Sequence, residues 1–507
     1  MQAREKTNIE NAFADAEDEL VNSAVNTKNL KELLEINSDF VFRELLLGEE
    51  RNIPVTLMFF DGLINSKQAD DDILMPLFQS VWKDRKKDVK GLINEMESGM
   101  LYHTVQKTRV NLSDCVKDIL DGSVALVFDQ VEKAVTLEIK GFEKRGISEP
   151  TDENIFKGAK DAFIEDLRTN TATLRRKIKT QNLVIEQTKA GVQSQTDIAI
   201  VYMKDITNPQ IVLEAKKRLD TINANGIYEL GKIEEYLSDN RNTSFPQIIN
   251  TVRPDKFCAN IAEGRVGIII DGFPTAYILP GTLVTFLQAP EDYSRNYIIS
   301  SIIRIMRYIL AFMTLFLPGF YVSITTFHQE MIPTELALAI TASKEGVPFP
   351  VFVEVILMLA AFEVLVEAGI RLPKTIGQAV SIVGAVIVGQ AAVEAKLVSP
   401  AVVVIIAITA IASFAMPNQD FSNALRLWRF IFVFVSSVIG LFGLSLAGIL
   451  LLNHLTDMEV YGIPYLSPYV GQDGQQLQDS LFRFPFPLQT NRPIDLKTKN
   501  KKRVGER

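Results

Sequence analysis

The pattern of apolar and polar positions divides the chain into two parts. From residue 1 to about residue 290 charged residues recur every few positions, whereas from about residue 297 to residue 452 apolar residues form long blocks separated by short polar breaks. A helix that spans a bilayer needs about 20 largely apolar residues. The pattern therefore predicts a membrane protein in which a soluble N-terminal domain precedes an α-helical multipass transmembrane domain.

The soluble domain is expected to have two subdomains that follow a mobile, polar N-terminal segment, residues 1–36. In the first subdomain, residues 37–150, strand-like apolar runs at Val55–Phe60 and Val124–Phe128 alternate with helical stretches such as Ile73–Trp82. This alternation is typical of a small α/β or α+β domain.

The second subdomain, residues 151–290, begins with a linking segment. Polar residues from about Ile155 to near Gly191 predict a long helix between the two subdomains. Periodicity predicts the remaining elements. They are strands at Ile198–Met203 and Val266–Ile270, and helices at Ile211–Leu219 and Ile227–Leu237.

Five stretches of the membrane domain, residues 291–455, are long enough or nearly long enough to cross a bilayer. They lie near residues 303–326, 350–368, 376–394, 399–417 and 427–452. Basic residues collect on the cytoplasmic side of membrane proteins, so Arg295, Arg304 and Arg307 place the start of the first stretch inside. A basic cytosolic tail, residues 456–507, then requires an even number of crossings, and we expect four.

Composition narrows the classes of function. The net charge is −8 at pH 7, which gives no general electrostatic footprint for nucleic acid. The two cysteines, Cys115 and Cys258, are expected to be reduced thiols in a cytosolic compartment. The first 20 residues are polar and acidic, so no cleaved secretory signal is expected and the soluble domain should stay inside.

Three carboxylates interrupt the second apolar stretch, at Glu354, Glu363 and Glu367. Carboxylates are costly at the centre of a bilayer and often mark a functional path. Glu363, Glu367 and Arg371 are spaced by four residues and share one helical face. This face forms either a ring of carboxylates at the mouth of a cation pathway or the polar side of an interfacial helix.

Small residues mark the third and last apolar stretches. Small side chains allow helices to approach closely in membranes, although in an oligomer the same surface could line a pore with a hydrophobic gate. The candidate pore or gate residues here are Ser381, Val383, Gly384, Val386, Val388 and Gly389, and the candidate packing residues are Gly377, Ala385, Gly440 and Gly443.

No motif for catalysis or cofactor binding stands out. The three histidines are far apart, and neither metal-binding spacings nor a glycine-rich phosphate loop occurs. We therefore expect no enzyme activity, no cofactor and no metal site. A basic cluster, Arg175-Arg176-Lys177-Ile178-Lys179, either binds anionic lipid or an acidic partner or is the solvated face of a helix.

Several motifs resemble the spore germinant receptor A-subunit family, which also includes an accessory spore membrane paralogue. In the second half they are Gly346-Val-Pro-Phe-Pro350, Phe362-Glu-Val-Leu-Val-Glu-Ala-Gly369, Arg371-Leu-Pro373 and Ile376-Gly-Gln-Ala-Val-Ser-Ile-Val-Gly-Ala385. In the soluble half they include Arg253-Pro-Asp255, Glu263-Gly-Arg-Val-Gly267 and Asp271-Gly-Phe-Pro274. The sequence departs from the family at Phe156–Asp161, Thr221–Asn225 and Val366.

The resemblance implies a receptor subunit in the spore inner membrane that works with a transporter-like B subunit and a lipoprotein C subunit. The A subunit of such a receptor is expected to self-associate, as a pentamer, around a pore that releases monovalent cations when a nutrient binds. A secondary transporter component and a non-conducting scaffold or accessory protein stay open as alternatives.

Overall fold

The structure, a computed structural model, describes residues 23–47, 53–80, 89–101, 105–141, 153, 157–371, 389–470 and 479–503. The chain forms two compact units. The first comprises Met1–Leu237, Asn250–Leu279 and Asn491–Arg507, and the second comprises Ser238–Ile249 and Pro280–Thr490. Most of both predicted soluble subdomains falls within the first unit, together with the C-terminal residues, whereas residues 238–249 and 280–290 of the predicted second subdomain belong to the second unit.

A five-stranded antiparallel sheet forms the first subdomain. Its strands are β1 (Phe40–Leu47), β2 (Ile53–Phe60), β3 (Gln106–Arg109), β4 (Ser123–Phe128) and β5 (Lys133–Glu138), in the order β1-β2-β4-β5-β3. Side chains alternate across a strand, so Leu126 and Phe128 enter one core cluster while Ala125 and Val127 enter the cluster on the opposite face. The apolar runs that predicted β2 and β4 are thus strands buried on both sides.

Short helices cover the two faces of this sheet. They are α1 (Thr27–Leu34), α2 (Ser66–Ala69), α3 (Met75–Ser80), α4 (Val89–Glu95) and α5 (Leu112–Leu120), with π-helical turns at Asp70–Leu74 and Met96–Met100. Helix α1 begins at the N-cap Asn26, whose side chain accepts a hydrogen bond from the amide of Asn29. Leu30 and Leu34 of this helix are fully buried. The polar segment expected to extend to residue 36 therefore includes a helix that packs in the core.

A second five-stranded sheet forms the other subdomain. Its strands are β6 (Leu183–Ala190), β7 (Thr196–Met203), β8 (Ile249–Thr251), β9 (Val266–Ile270) and β10 (Ala276–Leu279), in the order β6-β7-β9-β10-β8. Its helices are α6 (Leu167–Lys177), α7 (Pro209–Asp220), α8 (Leu230–Leu237) and α9 (Pro254–Ala262). The mixed helix and strand content predicted for this half is confirmed. Strands β6, β7, β9 and β10 pair in antiparallel fashion, so this subdomain belongs to the α+β class.

The long linking helix predicted from about Ile155 to near Gly191 is wrong. Helix α6 ends at Lys177, and the chain then enters strand β6. The reason lies in burial, because Leu183, Val184 and Ile185 are all fully buried in the second sheet. Because polar residues surround this short apolar run, the sequence pattern predicted a continuous helix where the strand lies.

The second unit is mainly helical. Its helices are α10 (Leu283–Leu287), α11 (Glu291–Ser294), α12 (Tyr297–Phe327), α13 (Thr334–Ser343), α14 (Val351–Arg371), α15 (Pro400–Phe414) and α16 (Gln419–Asp457), followed by the hairpin β11 (Glu459–Val460) and β12 (Ile463–Pro464). Residues 389–394 are also helical.

Two of the described helices, α12 and α16, are long and apolar enough to cross a membrane, whereas α15 is apolar but shorter. Helix α16 doubles back at Gly440, because the rings of Trp428 and His454, 26 positions apart, have centroids only 5.9 Å apart. Of the five predicted stretches, 303–326 lies in α12, whereas 427–452 lies in α16 and includes this reversal. Most of the stretch 376–394 lies outside the described residues.

Candidate functional site

The three carboxylates of α14 lie in three different environments. Glu354 is fully buried. Its Oε2 accepts a hydrogen bond of 2.7 Å from the amide of Ser399, which is the N-cap of α15. Its Oε1 lies 3.5 Å from the ammonium of Lys344. Glu354 therefore joins α14 to the start of α15, and it does not share an environment with Glu363 or Glu367.

Glu363 pairs with two arginines of α16. Its Oε1 accepts hydrogen bonds from Arg426 Nε at 3.1 Å and from Arg429 Nη2 at 2.7 Å, and its Oε2 accepts from Arg426 Nη2. Arg429 is fully buried, and its Nε and Nη1 have no hydrogen-bond partner within the part of the chain that the structure describes. One carboxylate thus offsets two guanidinium groups where α14 meets α16.

Glu367 differs from both because it is exposed. It accepts two hydrogen bonds from Arg371, one turn further along α14. Both side chains are exposed. Exposed pairs of this spacing contribute little to stability. Of the three carboxylates, Glu367 is the one that a mobile cation could reach without breaking a buried pair.

The two membrane-length helices pack through small residues. A Cβ added at Gly319 of α12 would lie 2.8 Å from Ser436 Oγ and 3.3 Å from the carbonyl oxygen of Phe432, both on α16. Gly443 of α16 is buried. Gly440 has φ +66° and ψ −143°, and the chain reverses there, so that a Cβ added at Gly443 would lie 2.6 Å from the carbonyl oxygen of Val435. Glycine adopts this positive φ without strain.

Most of the candidate gate residues fall outside the described residues. They are Ser381, Val383, Gly384, Val386 and Val388, together with the packing candidates Gly377 and Ala385. Gly389 begins the helical residues 389–394, where an added Cβ would meet Val403 of α15 at 3.6 Å. The assignment of a pore or packing surface to this segment stays a prediction.

A buried charge cluster forms where α12 begins. Asp292 Oδ2 accepts from Arg304 Nε at 3.1 Å and from Arg307 Nη1 at 2.7 Å. Arg304 Nη1 also donates to Asp479 Oδ1 at 2.8 Å, and Arg483 Nη1 donates to the carbonyl oxygen of Asp292 at 2.7 Å. The sequence pattern predicts Arg304 and Arg307 as basic flanks of a span. They are buried partners of an aspartate, which removes them as free charges for lipid headgroups.

Two residues of the basic cluster at the end of α6 also form ion pairs with aspartates. Arg175 is 1% exposed and forms an ion pair with Asp39, so it is unavailable to lipid or to an acidic partner. Lys177 pairs with Asp161 at 2.7 Å. A common solvated face for Arg175-Arg176-Lys177 was therefore the wrong interpretation for Arg175.

The C-terminal residues 491–503 pack on the first unit. The amide of Lys499 donates to the carbonyl oxygen of Ile206 at 2.9 Å, and its Nζ donates to the carbonyl oxygen of Lys204 at 3.0 Å. Arg492 Nε donates to the carbonyl oxygen of Ala262 at 3.2 Å, and Arg503 pairs with Glu263. These residues were predicted only as a basic tail, and nothing in their polar sequence signalled a docking segment.

A cavity of about 660 Å³ lies in the first unit, between residues near Gly62 and the start of α6. Two of its polar side chains are already engaged. Asp166 accepts a hydrogen bond from the amide of Thr169 at the start of α6, and Arg168 pairs with Asp61. The cavity could admit a small solute, but these contacts explain its charges without one.

Neither cysteine is suited to nucleophilic chemistry. Cys115 and Cys258 are free and buried, and burial raises the pKa of each thiol to about 12. Thiolates are the reactive form, and they are scarce at neutral pH when the pKa is so high. Among the described residues no group of three or more His, Cys, Asp or Glu side chains is arranged to hold a metal ion.

Comparison with known proteins identifies the family. The profile of the family described as "Bacillus/Clostridium GerA spore germination protein" matches residues 28–494. Spore germination protein KA of Bacillus subtilis is 38% identical over 483 residues, which are 95% of this chain and 88% of that protein. Spore germination protein B1 of the same organism is 34% identical over 468 residues, 92% of this chain and 96% of that protein.

A solved structure also matches the chain. The N-terminal domain of the A subunit of the Bacillus megaterium spore germinant receptor GerK3 is 28% identical, with a TM-score of 0.40, and the match covers 50% of this chain and 96% of that domain. The resemblance to the germinant receptor A-subunit family is confirmed by the profile and by the full-length relatives. This chain belongs to the GerA family of spore germination proteins.

Proposed function

We propose that this chain is a subunit of a nutrient germinant receptor in the spore inner membrane, where it self-associates around a ligand-gated path for monovalent cations. A transporter-like B subunit and a lipoprotein C subunit are its partners in this proposal, and the nutrient binds mainly outside this chain. Release of cations through the assembled subunits then triggers germination.

The observation that carries the proposal is the placing of charged groups within apolar helices. Glu354 and Arg429 are fully buried, and Glu363 pairs with two arginines, in a unit whose helices α12 and α16 have the length and composition of membrane spans. Ionisable residues inside a membrane are costly and mostly mark ion or substrate paths. Family membership supplies the biological setting.

The two compact units support a multipass arrangement with an even number of crossings. The chain leaves the first unit before Pro280 and returns to it at Asn491. A compact soluble unit lies on one side of a membrane, so the helices between those points must cross an even number of times. Any even number of crossings satisfies this condition, and the soluble unit then faces the spore core.

Two alternatives remain in other classes of function. A non-conducting scaffold or accessory germination protein needs the same membrane helices but no path for ions. A secondary transporter component is expected to have paired repeats and broken helices around a central site. The reversal of α16 at Gly440 is a break of a helix such as transporters have, although no repeat accompanies it in the sequence.

Potassium flux tests the proposal. The purified full chain, alone and with its B and C partners, is reconstituted into liposomes loaded with K⁺. The variants are Glu367→Gln, which removes the exposed carboxylate of α14, and Val383→Ala. Glu335→Gln is the control, because Glu335 is exposed on α13.

A flux that either variant alters, and that Glu335→Gln leaves unchanged, supports the channel. A folded oligomer that conducts no K⁺ under any of these conditions contradicts the channel and favours the scaffold. Flux that saturates with a transported solute favours the transporter.

A further inference from the structure

Three buried oxygen atoms from three segments of the second unit meet without enough partners. They belong to Glu354 on α14, Tyr321 on α12 and Ser399 at the start of α15. Glu354 and Ser399 are 0% exposed and Tyr321 is 9% exposed. Tyr321 packs in one apolar cluster with Val355 of α14 and Val402 of α15, and its hydroxyl lies near Ser399 and Glu354 without hydrogen-bond geometry to either.

The hydrogen bonds of this group leave three polar atoms unused. Glu354 Oε2 accepts from the amide of Ser399 at 2.7 Å. Glu354 Oε1, Ser399 Oγ and Tyr321 Oη are buried and have no hydrogen-bond partner among the described residues. Leaving a buried polar atom without a partner is costly, and more so when the atom is charged. These three oxygen atoms are therefore available to coordinate a small ligand.

A single cation approaches Glu354 in the described part of the chain. The ammonium of Lys344 lies 3.5 Å from Oε1, which is long for a charge-assisted hydrogen bond. The Lys344 side chain is 28% exposed, whereas Glu354 is fully buried. Lys344 follows α13 directly, so its ammonium can leave the carboxylate for water without moving α14 or α15.

We propose that Glu354, Tyr321 and Ser399 form a binding site for a monovalent metal cation, Na⁺ or K⁺, which competes with the ammonium of Lys344. Carboxylate and hydroxyl oxygens are hard ligands that suit such ions. One carboxylate balances one positive charge, so a divalent cation would bring an excess charge into an apolar helical unit at high cost. An anion is repelled by the same carboxylate.

The site has a consequence for the proposed receptor, and only this consequence rests on the proposed function. When a cation occupies the site, Lys344 is released and α13 loses a tether to α14. When the cation is absent, the ammonium of Lys344 returns to Oε1. The concentration of monovalent cations thereby biases the position of α13 relative to α14.

The experiment measures cation binding without any flux. The thermal unfolding midpoint of the purified full chain in detergent is followed by intrinsic fluorescence while NaCl or KCl replaces N-methylglucamine chloride at constant ionic strength. Ligands that bind the folded state raise the midpoint, and the shift grows with the logarithm of the ligand concentration above the dissociation constant. Radiolabelled rubidium measures equilibrium binding directly as a probe for K⁺.

The variants separate the site from general salt effects. Wild type is expected to show a higher midpoint in Na⁺ or K⁺, and Lys344→Gln is expected to lower the half-saturating cation concentration several-fold. Glu354→Gln, Tyr321→Phe and Ser399→Ala are each expected to weaken or abolish the response, and the two hydroxyl deletions serve if Glu354→Gln does not fold. Glu335→Gln removes an exposed carboxylate of the same unit and is expected to behave as wild type.

Equal midpoints in Na⁺, K⁺ and N-methylglucamine for wild type and Lys344→Gln, with no rubidium bound, overturn the site. A response that survives in Glu354→Gln, Tyr321→Phe and Ser399→Ala also overturns it. Cation binding by a chain that conducts no K⁺ in liposomes keeps the site and contradicts the channel, whereas conductance without binding does the reverse.

Discussion

Arg175 and Asp39 form a buried ion pair across 136 positions of the sequence, with Arg175 Nη2 2.6 Å from Asp39 Oδ1. Asp39 immediately precedes β1 in the first sheet, and Arg175 lies on α6 in the second subdomain. The Arg175 guanidinium also lies 3.9 Å from the centre of the Phe60 ring. This pair joins the two subdomains, because it bonds residues from both and its side chains are 1% and 5% exposed.

Asp39→Asn is expected to destabilise the contact between the two subdomains. Removing one member of a buried pair leaves the other charge buried and uncompensated, at a cost of about 3–5 kcal/mol. Hydrogen exchange of the amides of β1 and α6 measures the change as faster exchange in both elements.

Arg168→Gln is the matched control, because Arg168 lies on the same helix and pairs with Asp61 at a largely exposed position. Exposed pairs contribute about 1 kcal/mol or less, so exchange in this variant should stay near that of wild type. Equal effects of Asp39→Asn and Arg168→Gln contradict the special role of the buried pair.

Acid should weaken the first subdomain through Asp118. Burial acts to raise the pKa of Asp118, but hydrogen bonds from Arg109 and Thr136 outweigh it and the pKa is lowered. A carboxyl whose folded pKa is lowered stabilises the fold above its unfolded pKa of about 3.9. This stabilisation is lost as the pH falls through the folded pKa.

The measurement is the unfolding midpoint of the full chain against pH on the acid side of neutrality. Asp118→Asn is expected to lower the midpoint at neutral pH and to flatten the acid-side decline. Asp114→Asn is the control, because Asp114 is more exposed and lies 4.0 Å from Arg109. A decline of unchanged steepness in Asp118→Asn assigns the acid sensitivity to other carboxyls.

The sequence predicted the elements whose apolar pattern is simple. Strands β2, β4, β7 and β9 appear as continuous apolar runs because both faces of each sheet are covered, and α7 has a clear 3.6-residue period. Burial of these runs is a local property of the chain. Pattern alone was therefore sufficient for much of the N-terminal fold.

The partners of charged residues could not be predicted in this way. The spacing of Glu363 and Glu367 indicated a shared face, but Glu363 pairs with Arg426 and Arg429, more than 60 residues away. Arg304 had the pattern of a basic flank and is instead buried against Asp292. Such contacts depend on how distant helices pack, and that information is absent from local spacing.

Glu363→Gln is expected to destabilise the packing of α14 on α16. The change leaves the fully buried Arg429 without a carboxylate, and an uncompensated buried charge costs about 3–5 kcal/mol. The thermal midpoint and the elution profile of the purified chain in detergent measure the loss. Adding Arg429→Met to Glu363→Gln should recover part of it, because the unpaired charge is then removed.

Glu367→Gln provides the comparison for Glu363→Gln on the same helix. The pair of Glu367 with Arg371 is exposed and of the i,i+4 type, for which about 0.3–0.5 kcal/mol is usual. Its midpoint should therefore stay close to that of wild type. A loss in Glu367→Gln as large as that in Glu363→Gln contradicts the assignment of the stabilising pair to Glu363.

The packing of residues 491–503 on the first unit makes the topology testable by cysteine labelling. Burial raises the pKa of Cys115 and Cys258 to about 12, so neither native thiol should react with a maleimide near neutral pH. Single cysteines are introduced as Lys217→Cys in the first unit, Lys501→Cys in the C-terminal segment and Glu335→Cys on α13. A membrane-impermeant maleimide is then applied to vesicles of known orientation.

Lys217→Cys and Lys501→Cys are expected to label from the same side, because both belong to one compact unit. Glu335→Cys is expected to label from the opposite side. Labelling of Lys501→Cys from the side opposite to Lys217→Cys excludes an even number of crossings.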